Sequence, residues 1–208
     1  MRVKLAKTAG FCMGVKRAVD MVLDMAREKD HGIIYTYGPL IHNPQTIELL
    51  RRRGIVPIGS LDEIENPPAG TAMIVRAHGI SPADRKKIRE KGLRIVDATC
   101  PKVAHVQAII RRHAARGYAV LIVGDREHPE VNGLLGFAGE GGAVLGSPEE
   151  VEKLPELDKV CVVAQTTQNL EEYAEICNLI RKRFPGAVVF DTICDTTEKR
   201  QSEIRTLA

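Results

Sequence analysis

The sequence has no apolar run long enough to cross a membrane and no recognisable secretory leader. Its apolar stretches fall well short of the ~18 residues of a membrane span. The apolar run in the opening MRVKLAKTAGFC is too short for a signal peptide. These absences predict no membrane partner and a cytoplasmic location, where the five cysteines are expected to be free thiols and not disulfides.

A large excess of charge of one sign is also missing. The formal net charge is +3, from 30 Lys and Arg against 27 Asp and Glu, and so small an excess predicts no nucleic-acid partner. The sequence has instead 44% hydrophobic and 27% charged residues, which is typical of a soluble globular protein. Its 208 residues suffice for one large domain or two ordinary ones.

Short apolar segments alternate with amphipathic helical patterns along the whole chain. Such segments are typical of strands buried in parallel sheets, and the helices begin at signals such as Ser81-Pro82. The predicted strands are GIIYTYG, TAMIVRA, LRIVDAT, YAVLIVG, KVCVVAQ and AVVFDT. The alternation predicts an α/β fold with mainly parallel sheets.

Three cysteines mark an internal repeat. Cys12, Cys100 and Cys194 each precede a helical pattern and follow a strand or strand-like segment, at separations of 88 and 94 residues. His42 lies 30 residues after the first cysteine, and His128 lies 28 residues after the second. Both histidines follow a strand and open a helix. This register predicts pseudo-symmetric, repeated α/β units.

The register continues at the next strand end of each unit. The segment VRAHGIS places His78 at such an end, 36 residues after His42. The segment VAQTTQN places Thr166 and Thr167 at the equivalent end, with Thr166 38 residues after His128. Ligands of open α/β sheets bind beyond the carboxyl ends of the strands, so these polar residues are candidate site residues.

The repeat divides the chain into a first unit of residues 1–99, a second of residues 100–193 and the opening of a third at residues 194–208. A strand within residues 1–11 is expected to close the sheet of the third unit. The third unit is largely absent from the 208 residues, so we expect the chain to be a shortened form that lacks some site residues.

Pseudo-symmetric packing would bring the three cysteines together at a central site. A cysteine at a helix N-terminus faces orphan N–H groups, which favour the metal-binding thiolate. Three thiolates without an adjacent fourth suit a [4Fe–4S] cluster with one iron open to substrate. Zinc is the rival metal, although the compact C-x-x-C pairs of structural zinc sites are missing. Cys161 and Cys177 lie inside a strand and a helix and are expected to pack in the core.

The polar residues indicate what such a site would bind. His42, His78 and His128 occupy loop or helix-start positions, where imidazoles and N–H groups bind phosphate, although each alone could equally cap a helix. Glu130 is either a general acid or a favourable charge on a helix dipole. The hydroxyl of Thr166 either orients a substrate alcohol or only caps a strand end.

Taken together, these segments resemble the 4-hydroxy-3-methylbut-2-enyl diphosphate reductase family. The resemblance runs from residue 1 to about residue 202 and is carried by AGFCMGVKRAVDM, GPLIHNPQ, VRAHGIS, DATCPKV, HPEVNG, QTT and DTICDTTEKRQ. It implies three α/β domains around a [4Fe–4S] cluster bound by Cys12, Cys100 and Cys194. Two electrons and two protons would then remove the substrate hydroxyl as water, giving isopentenyl and dimethylallyl diphosphate.

The resemblance also implies roles for single residues. The diphosphate would be bound by His42, His78 and His128, protons would be relayed by Glu130, and Thr166 would lie near the substrate hydroxyl. Ferredoxin or flavodoxin would be the electron donor. Family members carry a Ser-x-Asn segment and a later serine in the third domain, and this chain stops before both. The resemblance therefore implies poor or no turnover by these 208 residues alone.

Two other readings fit the repeat. Quinolinate synthase also has three pseudo-equivalent domains and a three-cysteine cluster with an open iron, but it does not need this set of histidines for a diphosphate. A non-enzymatic metal or redox sensor would use the thiols alone, and its behaviour would not depend on Glu130 or His128.

Overall fold

The computed structural model describes residues 3–27 and 32–207. Strands and helices alternate through these ranges. The strands are β1 (Ile34–Tyr37), β2 (Ile55–Ile58), β3 (Ala72–Val75), β4 (Arg94–Asp97), β5 (Ala119–Val123), β6 (Gly142–Leu145), β7 (Val160–Ala164) and β8 (Val188–Val189). The α-helices are α1 (Met13–Met25), α2 (Pro44–Arg51), α3 (Pro82–Glu90), α4 (Pro101–Ala114), α5 (Pro129–Ala138), α6 (Leu170–Arg183) and α7 (Asp195–Leu207).

The strands form two four-stranded sheets with the same topology. The first sheet has the order β2-β1-β3-β4 and the second the order β6-β5-β7-β8, and every neighbouring pair is parallel. When the strands of each sheet are numbered from the first one in the chain, both sheets have the order 2-1-3-4. The predicted α/β fold with repeated, parallel units is confirmed.

The described contacts divide the chain into two compact units. One is Met13–Ala104, and the other combines Met1–Cys12 with His105–Ala208. We refer to them as the first and second units, since they contain the first and second sheets. The division into residues 1–99, 100–193 and 194–208 that the repeat predicts stays a prediction.

The sequence did not reveal β2 and β6, which are two of the four edge strands. Strand β2 has the sequence IVPI, in which Pro57 has no N–H to donate to a ladder. Proline is tolerated at the edge of a sheet, and β2 is an edge strand. Strand β6 begins with Gly142 and has the sequence GAVL. Both strands have too few apolar residues in a row to stand out, yet they occupy the same place in the two sheets.

The first sheet is covered on both faces. All four residues of its central strand β3 are buried. Ile74 packs in one cluster with Val22 of α1, and Met73 packs in another with Ile88 of α3. Burial of a side chain of this size contributes about 1.5–3 kcal/mol. Because both faces are buried, the strand appears in the sequence as a continuous apolar run.

The second sheet packs against α6, which includes a predicted core cysteine. Val162 of β7 lies in one cluster with Ile176 and Cys177 of α6. Cys161 is 0% exposed and Cys177 is 2% exposed, so their predicted place in the core is confirmed. Burial raises the pKa of the Cys161 thiol to about 11, which keeps that thiol protonated and inert.

The N-terminal segment is bonded to α7. The Glu203 carboxylate accepts hydrogen bonds from the backbone N–H groups of Lys7 and Thr8, at 2.6 and 2.8 Å. Arg200 donates to the carbonyl of Gly10 at 2.5 Å. Residues 3–12 contain no strand, so the strand expected from this segment stays a prediction. In the part of the chain that the structure describes, no helix is both long and apolar enough to span a bilayer.

Candidate functional site

His42 lies in the loop between β1 and α2. The loop leaves the strand through Gly38, whose φ of +72° is in the left-handed region that glycine adopts without strain. It ends at Asn43, whose side chain accepts a hydrogen bond from Thr46 N at 2.8 Å and caps α2. Pro44 occupies the first turn of that helix. These signals fix both ends of the loop that carries His42.

His78 follows β3, the strand that pairs with β1. The ring centroids of His42 and His78 are 5.0 Å apart, and the rings are tilted by 52°. The two histidines are therefore neighbours at the carboxyl ends of adjacent parallel strands. Paired imidazoles in such a place offer N–H donors to one anion.

Cys100 links β4 to α4 in the first unit. Its backbone N–H donates to the Ala77 carbonyl at 2.9 Å, and Pro101 begins the helix that follows. The sulfur lies against the first turn of α1, because a β-carbon built on Gly14 would be only 2.6 Å from Cys100 Sγ. The thiol thus lies at the N-terminal ends of α1 and α4.

Thr99, the residue before Cys100, is held by hydrogen bonds at both its backbone N–H and its backbone carbonyl. Thr99 N donates to Asp97 Oδ1 at 2.9 Å, and the Thr99 carbonyl accepts from Arg17 at 3.2 Å. Asp97 also accepts from Arg85. Burial opposes the charge on Asp97, but its hydrogen bonds from Thr99 and Arg85 outweigh burial and lower the pKa of its carboxyl.

His128 caps α5 in the second unit. Its Nδ1 accepts a hydrogen bond from Glu130 N at 3.2 Å, and Pro129 stands at the start of the helix. A neutral imidazole that accepts at Nδ1 carries its proton on Nε2, so Nε2 is a donor in that tautomer. The sequence left capping and ligand binding open for His128, and this geometry allows both.

Glu130 is a buried carboxyl bonded to Thr166. Glu130 is 2% exposed, and it accepts from Thr166 N at 2.6 Å and from Thr166 Oγ1 at 2.8 Å. Burial raises the pKa of Glu130, and the two bonds from Thr166 only partly oppose that shift. A carboxyl with a raised pKa holds its proton closer to neutral pH, as a general acid must.

Cys194 is connected to the same threonine through the backbone. Cys194 N donates to the Thr166 carbonyl at 2.9 Å. The hydroxyl of Thr197, in the first turn of α7, donates to the same carbonyl at 3.1 Å. Thr166 therefore binds Glu130 through its N–H and hydroxyl and fixes the start of α7 through its carbonyl. A change at Thr166 would affect both the acid and the cysteine.

The cysteines fall into two classes by their exposure. Cys12, Cys100 and Cys194 are partly exposed free thiols, whereas Cys161 and Cys177 are buried. Accessible thiols at helix starts suit metal ligands, so the three residues fit an iron–sulfur cluster. Cys100 belongs to the first unit, and the other two belong to the second. The convergence of the three sulfur atoms stays a prediction.

Sequence reasoning missed the residues that tie the loops together. Gln165 follows β7; its Oε1 accepts from Asp125 N at 3.0 Å, and its Nε2 donates to Thr167 at 2.8 Å. Arg76 holds the equivalent place after β3, and its Nη1 stands where a β-carbon on Gly38 would be. The available clue was the glycine that follows the first strand of each repeat, since a conspicuous glycine often marks a close neighbour.

Comparison with known proteins shows the family to which the chain belongs. A sequence model of the family described as LytB protein matches residues 3–208. A protein of Opitutus terrae named 4-hydroxy-3-methylbut-2-enyl diphosphate reductase is 42% identical over 215 residues, covering 100% of this chain and 74% of that protein. A Pelobacter propionicus protein with the same name is 43% identical over 208 residues, covering 100% of this chain and 72% of its own length.

A solved structure has the same fold. It is described as (E)-4-hydroxy-3-methyl-but-2-enyl diphosphate reductase, the terminal enzyme of the non-mevalonate pathway, and superposes with a TM-score of 0.83 at 37% sequence identity. The match covers 99% of this chain and 72% of the solved one. The chain thus spans 72–74% of the length of these relatives.

Proposed function

Since the chain belongs to the LytB protein family, we propose that it catalyses the reaction for which its relatives are named. An allylic alcohol bearing a diphosphate loses its hydroxyl, which leaves as water after the uptake of two electrons and two protons. The products are isopentenyl and dimethylallyl diphosphate. Family membership also favours this reaction over the quinolinate synthase and thiol-sensor alternatives.

The histidines are proposed to bind the diphosphate. His42 and His78 are adjacent at the ends of paired strands, and His128 stands at the start of α5, where it caps the helix. Imidazole N–H groups bind phosphate oxygens well, and the start of a helix adds favourable dipoles. Binding at the diphosphate would orient the reacting end of the substrate without taking part in the chemistry.

Glu130 is proposed to deliver a proton to the leaving hydroxyl. Its burial keeps the carboxyl protonated closer to neutral pH, and Thr166 holds both carboxyl oxygens at 2.6 and 2.8 Å. A proton on Glu130 could reach the substrate directly or through the Thr166 hydroxyl. Protonation turns a poor leaving group into water, which is the role of a general acid.

Cys12, Cys100 and Cys194 are proposed to hold a [4Fe–4S] cluster. When bound, such a cluster supplies the electrons, received from ferredoxin or flavodoxin, and an open iron for the substrate oxygen. The support lies in the accessibility of these three thiols and in the backbone bonds that fix Cys100 and Cys194 at helix starts. The cytoplasmic location expected from the sequence belongs to this proposal.

The single observation that carries the proposal is the buried Glu130 carboxyl bonded to Thr166, two residues from a helix-capping histidine. The test is anaerobic reconstitution with iron and sulfide, followed by assay with the allylic diphosphate and a chemical one-electron reductant. We expect about four irons per chain, a visible absorption band, and slow release of the two C5 diphosphates, since the resemblance implies poor turnover by these 208 residues alone. Metal-free protein that retains full turnover would refute the proposal.

A further inference from the structure

Arg76 presents a buried polar atom that the protein does not pair. Arg76 Nε is buried, and no described atom accepts a hydrogen bond from it. Unpaired buried polar groups are rare in native proteins and commonly mark a functional site or a missing ligand. Burial lowers the pKa of the Arg76 guanidinium, although Tyr37 and Asp84 partly oppose the shift.

The acid that acts on Arg76, Asp84, forms no ion pair with it. The Asp84 carboxylate accepts hydrogen bonds from the Ser81 hydroxyl at 2.7 Å and from the Tyr37 hydroxyl at 3.3 Å. None of the ion pairs found within residues 3–27 and 32–207 includes Arg76. A partly buried cation without an ion pair is costly, so the fold retains a positive charge at this strand end for some other reason.

The position of Arg76 points to that reason. Its Nη1 stands over Gly38, at the point where the loop leading to His42 leaves β1. Two residues after Arg76 comes His78, whose ring is 5.0 Å from the ring of His42. The guanidinium therefore lies beside the beginnings of both segments that carry the histidine pair.

In the second repeat an uncharged side chain, that of Gln165, lies over the equivalent glycine, Gly124. Gln165 follows β7 as Arg76 follows β3, and a β-carbon on Gly124 would be 2.8 Å from Gln165 Oε1. That oxygen accepts from Asp125 N at 3.0 Å. The corresponding residue of the first repeat is Pro39, which has no N–H to offer an amide. A cation whose buried Nε has no acceptor takes the place of the glutamine there.

We propose that Arg76 is a positioning residue of the diphosphate site. Its guanidinium fixes the Gly38 turn so that His42 stands beside His78, and its unpaired positive charge attracts the anion that the pair binds. The inference rests on the proposed function, because it takes the diphosphate as the anion. Arginine suits both tasks, since its planar fork packs flat on a backbone and stays charged at all working pH values.

The test compares Arg76→Gln, which installs the residue used by the second repeat, with Arg76→Lys and with the control Arg89→Gln. Arg89 lies exposed on α3 of the same unit, so the control removes the same charge. Calorimetry on the reconstituted protein measures the affinity for inorganic pyrophosphate, and kinetics measure KM and kcat. We expect Arg76→Gln to weaken pyrophosphate binding and raise KM by about tenfold or more, with a smaller change in kcat. Arg76→Lys should lie between, and Arg89→Gln within about twofold of the parent.

Hydrogen exchange provides a measurement that needs no ligand. Arg76→Gln should speed exchange in residues 38–43 and leave residues 124–128 unchanged, since the second repeat keeps its own glutamine. Unchanged exchange in residues 38–43, or an equal loss of pyrophosphate affinity in Arg89→Gln, would overturn the inference. Failure of the unsubstituted protein to bind pyrophosphate or reduce the substrate would instead refute the proposed function, and the exchange data would still decide the positioning role.

Discussion

The carboxyl ends of the two sheets share a backbone design. Gly38 N donates to the Ile58 carbonyl at 2.8 Å in the first unit, and Gly124 N donates to the Leu145 carbonyl at 3.0 Å in the second. In each unit the chain thus leaves the first strand of the sheet through a glycine bonded to the end of the edge strand. The same local solution was retained in both copies of the repeat.

The cysteines follow the same rule. Cys100 N donates to the Ala77 carbonyl, and Cys194 N donates to the Thr166 carbonyl, both at 2.9 Å. The structural equivalent of Thr166 is therefore Ala77, one residue before His78. The side chains at these matched places differ: an alanine beside a histidine in the first unit, and a threonine bonded to a buried acid in the second.

The difference teaches how one scaffold can divide two tasks. The first sheet end presents the His42 and His78 pair with the charge of Arg76 nearby, which suits an anion. The second presents Glu130, whose pKa is raised by burial, which suits a proton donor. Backbone bonds that do not depend on side chains allowed the two ends to diverge without loss of the fold.

The largest effect, a loss of kcat, is expected when the carboxyl of Glu130 at the second sheet end can no longer donate a proton. We expect Glu130→Gln to lower kcat by about two to four orders of magnitude, because a general acid contributes an effect of that size. Iron content and absorption spectra should remain those of the parent. The control is Glu127→Gln, an exposed carboxyl in the loop that precedes α5, which should change kcat by less than about twofold. Full activity in Glu130→Gln would remove the distinction between the two sheet ends.

The next effect concerns the cysteine of the first sheet end. In Gly14→Ala the new β-carbon would lie 2.6 Å from Cys100 Sγ and 3.1 Å from its Cβ, so the sulfur must move. We expect iron bound per chain after reconstitution to fall by about half or more, since disturbed support of a ligand costs 10- to 100-fold in metal affinity. Gly186→Ala, where a β-carbon meets open space, is the control. Equal iron content in both variants would contradict the packing.

Much of this arrangement could be predicted from the sequence, and the reasons are local. Buried strands such as β5 and β7 are runs of β-branched residues, and helix starts such as Ser81-Pro82 carry their own caps. The repeat then predicted site residues at His42, His78 and His128, each after a strand, and Glu130 follows His128 by two residues. The edge strands β2 and β6 were missed because β2 contains a proline and β6 begins with a glycine.

Other features depend on contacts between distant segments and leave no periodic trace. The bond between Glu130 and Thr166 joins residues 36 positions apart, and only the pairing of β5 with β7 brings them together. The contact of Arg76 with Gly38 likewise follows from the pairing of β1 with β3. A pattern in the sequence predicts helices and strands, whereas these side-chain contacts depend on which strands pair in the folded protein.

A smaller effect is expected on the pH dependence of stability, which should have opposite signs for Glu130 of the second unit and Asp97 of the first. The pKa of Glu130 is raised from 4.5, so its contribution to the free energy of unfolding is fully present below pH 4.5 and is lost as pH rises through the raised folded value. The pKa of Asp97 is lowered from 3.8, so its contribution is present above pH 3.8 and is lost as pH falls through the lowered folded value.

Urea unfolding of cluster-free protein between pH 3 and pH 8 measures both contributions. Relative to Glu130→Gln, the parent should lose about 1 kcal/mol or more as pH rises from about 4.5. Relative to Asp97→Asn, the parent should gain less than about 1 kcal/mol as pH rises, because the Asp97 side chain is 41% exposed and water screens its pair. Parallel pH profiles for the two variants would show that the two carboxyls do not have opposite environments.

The smallest effect tests the two classes of cysteine without any metal. In cluster-free, folded protein at pH 8, iodoacetamide should modify Cys12, Cys100 and Cys194, which are partly exposed, and should leave Cys161 and Cys177 unmodified. The Cys161 thiol, with its pKa raised to about 11 by burial, is both inaccessible and protonated, so its rate should remain negligible until the protein unfolds. Mass spectrometry of the digested protein locates the modified residues, and denatured protein, in which all five should react, is the control. Early modification of Cys161 would mean that the second sheet opens in the folded state, and its core could not then hold Glu130 in a dry environment.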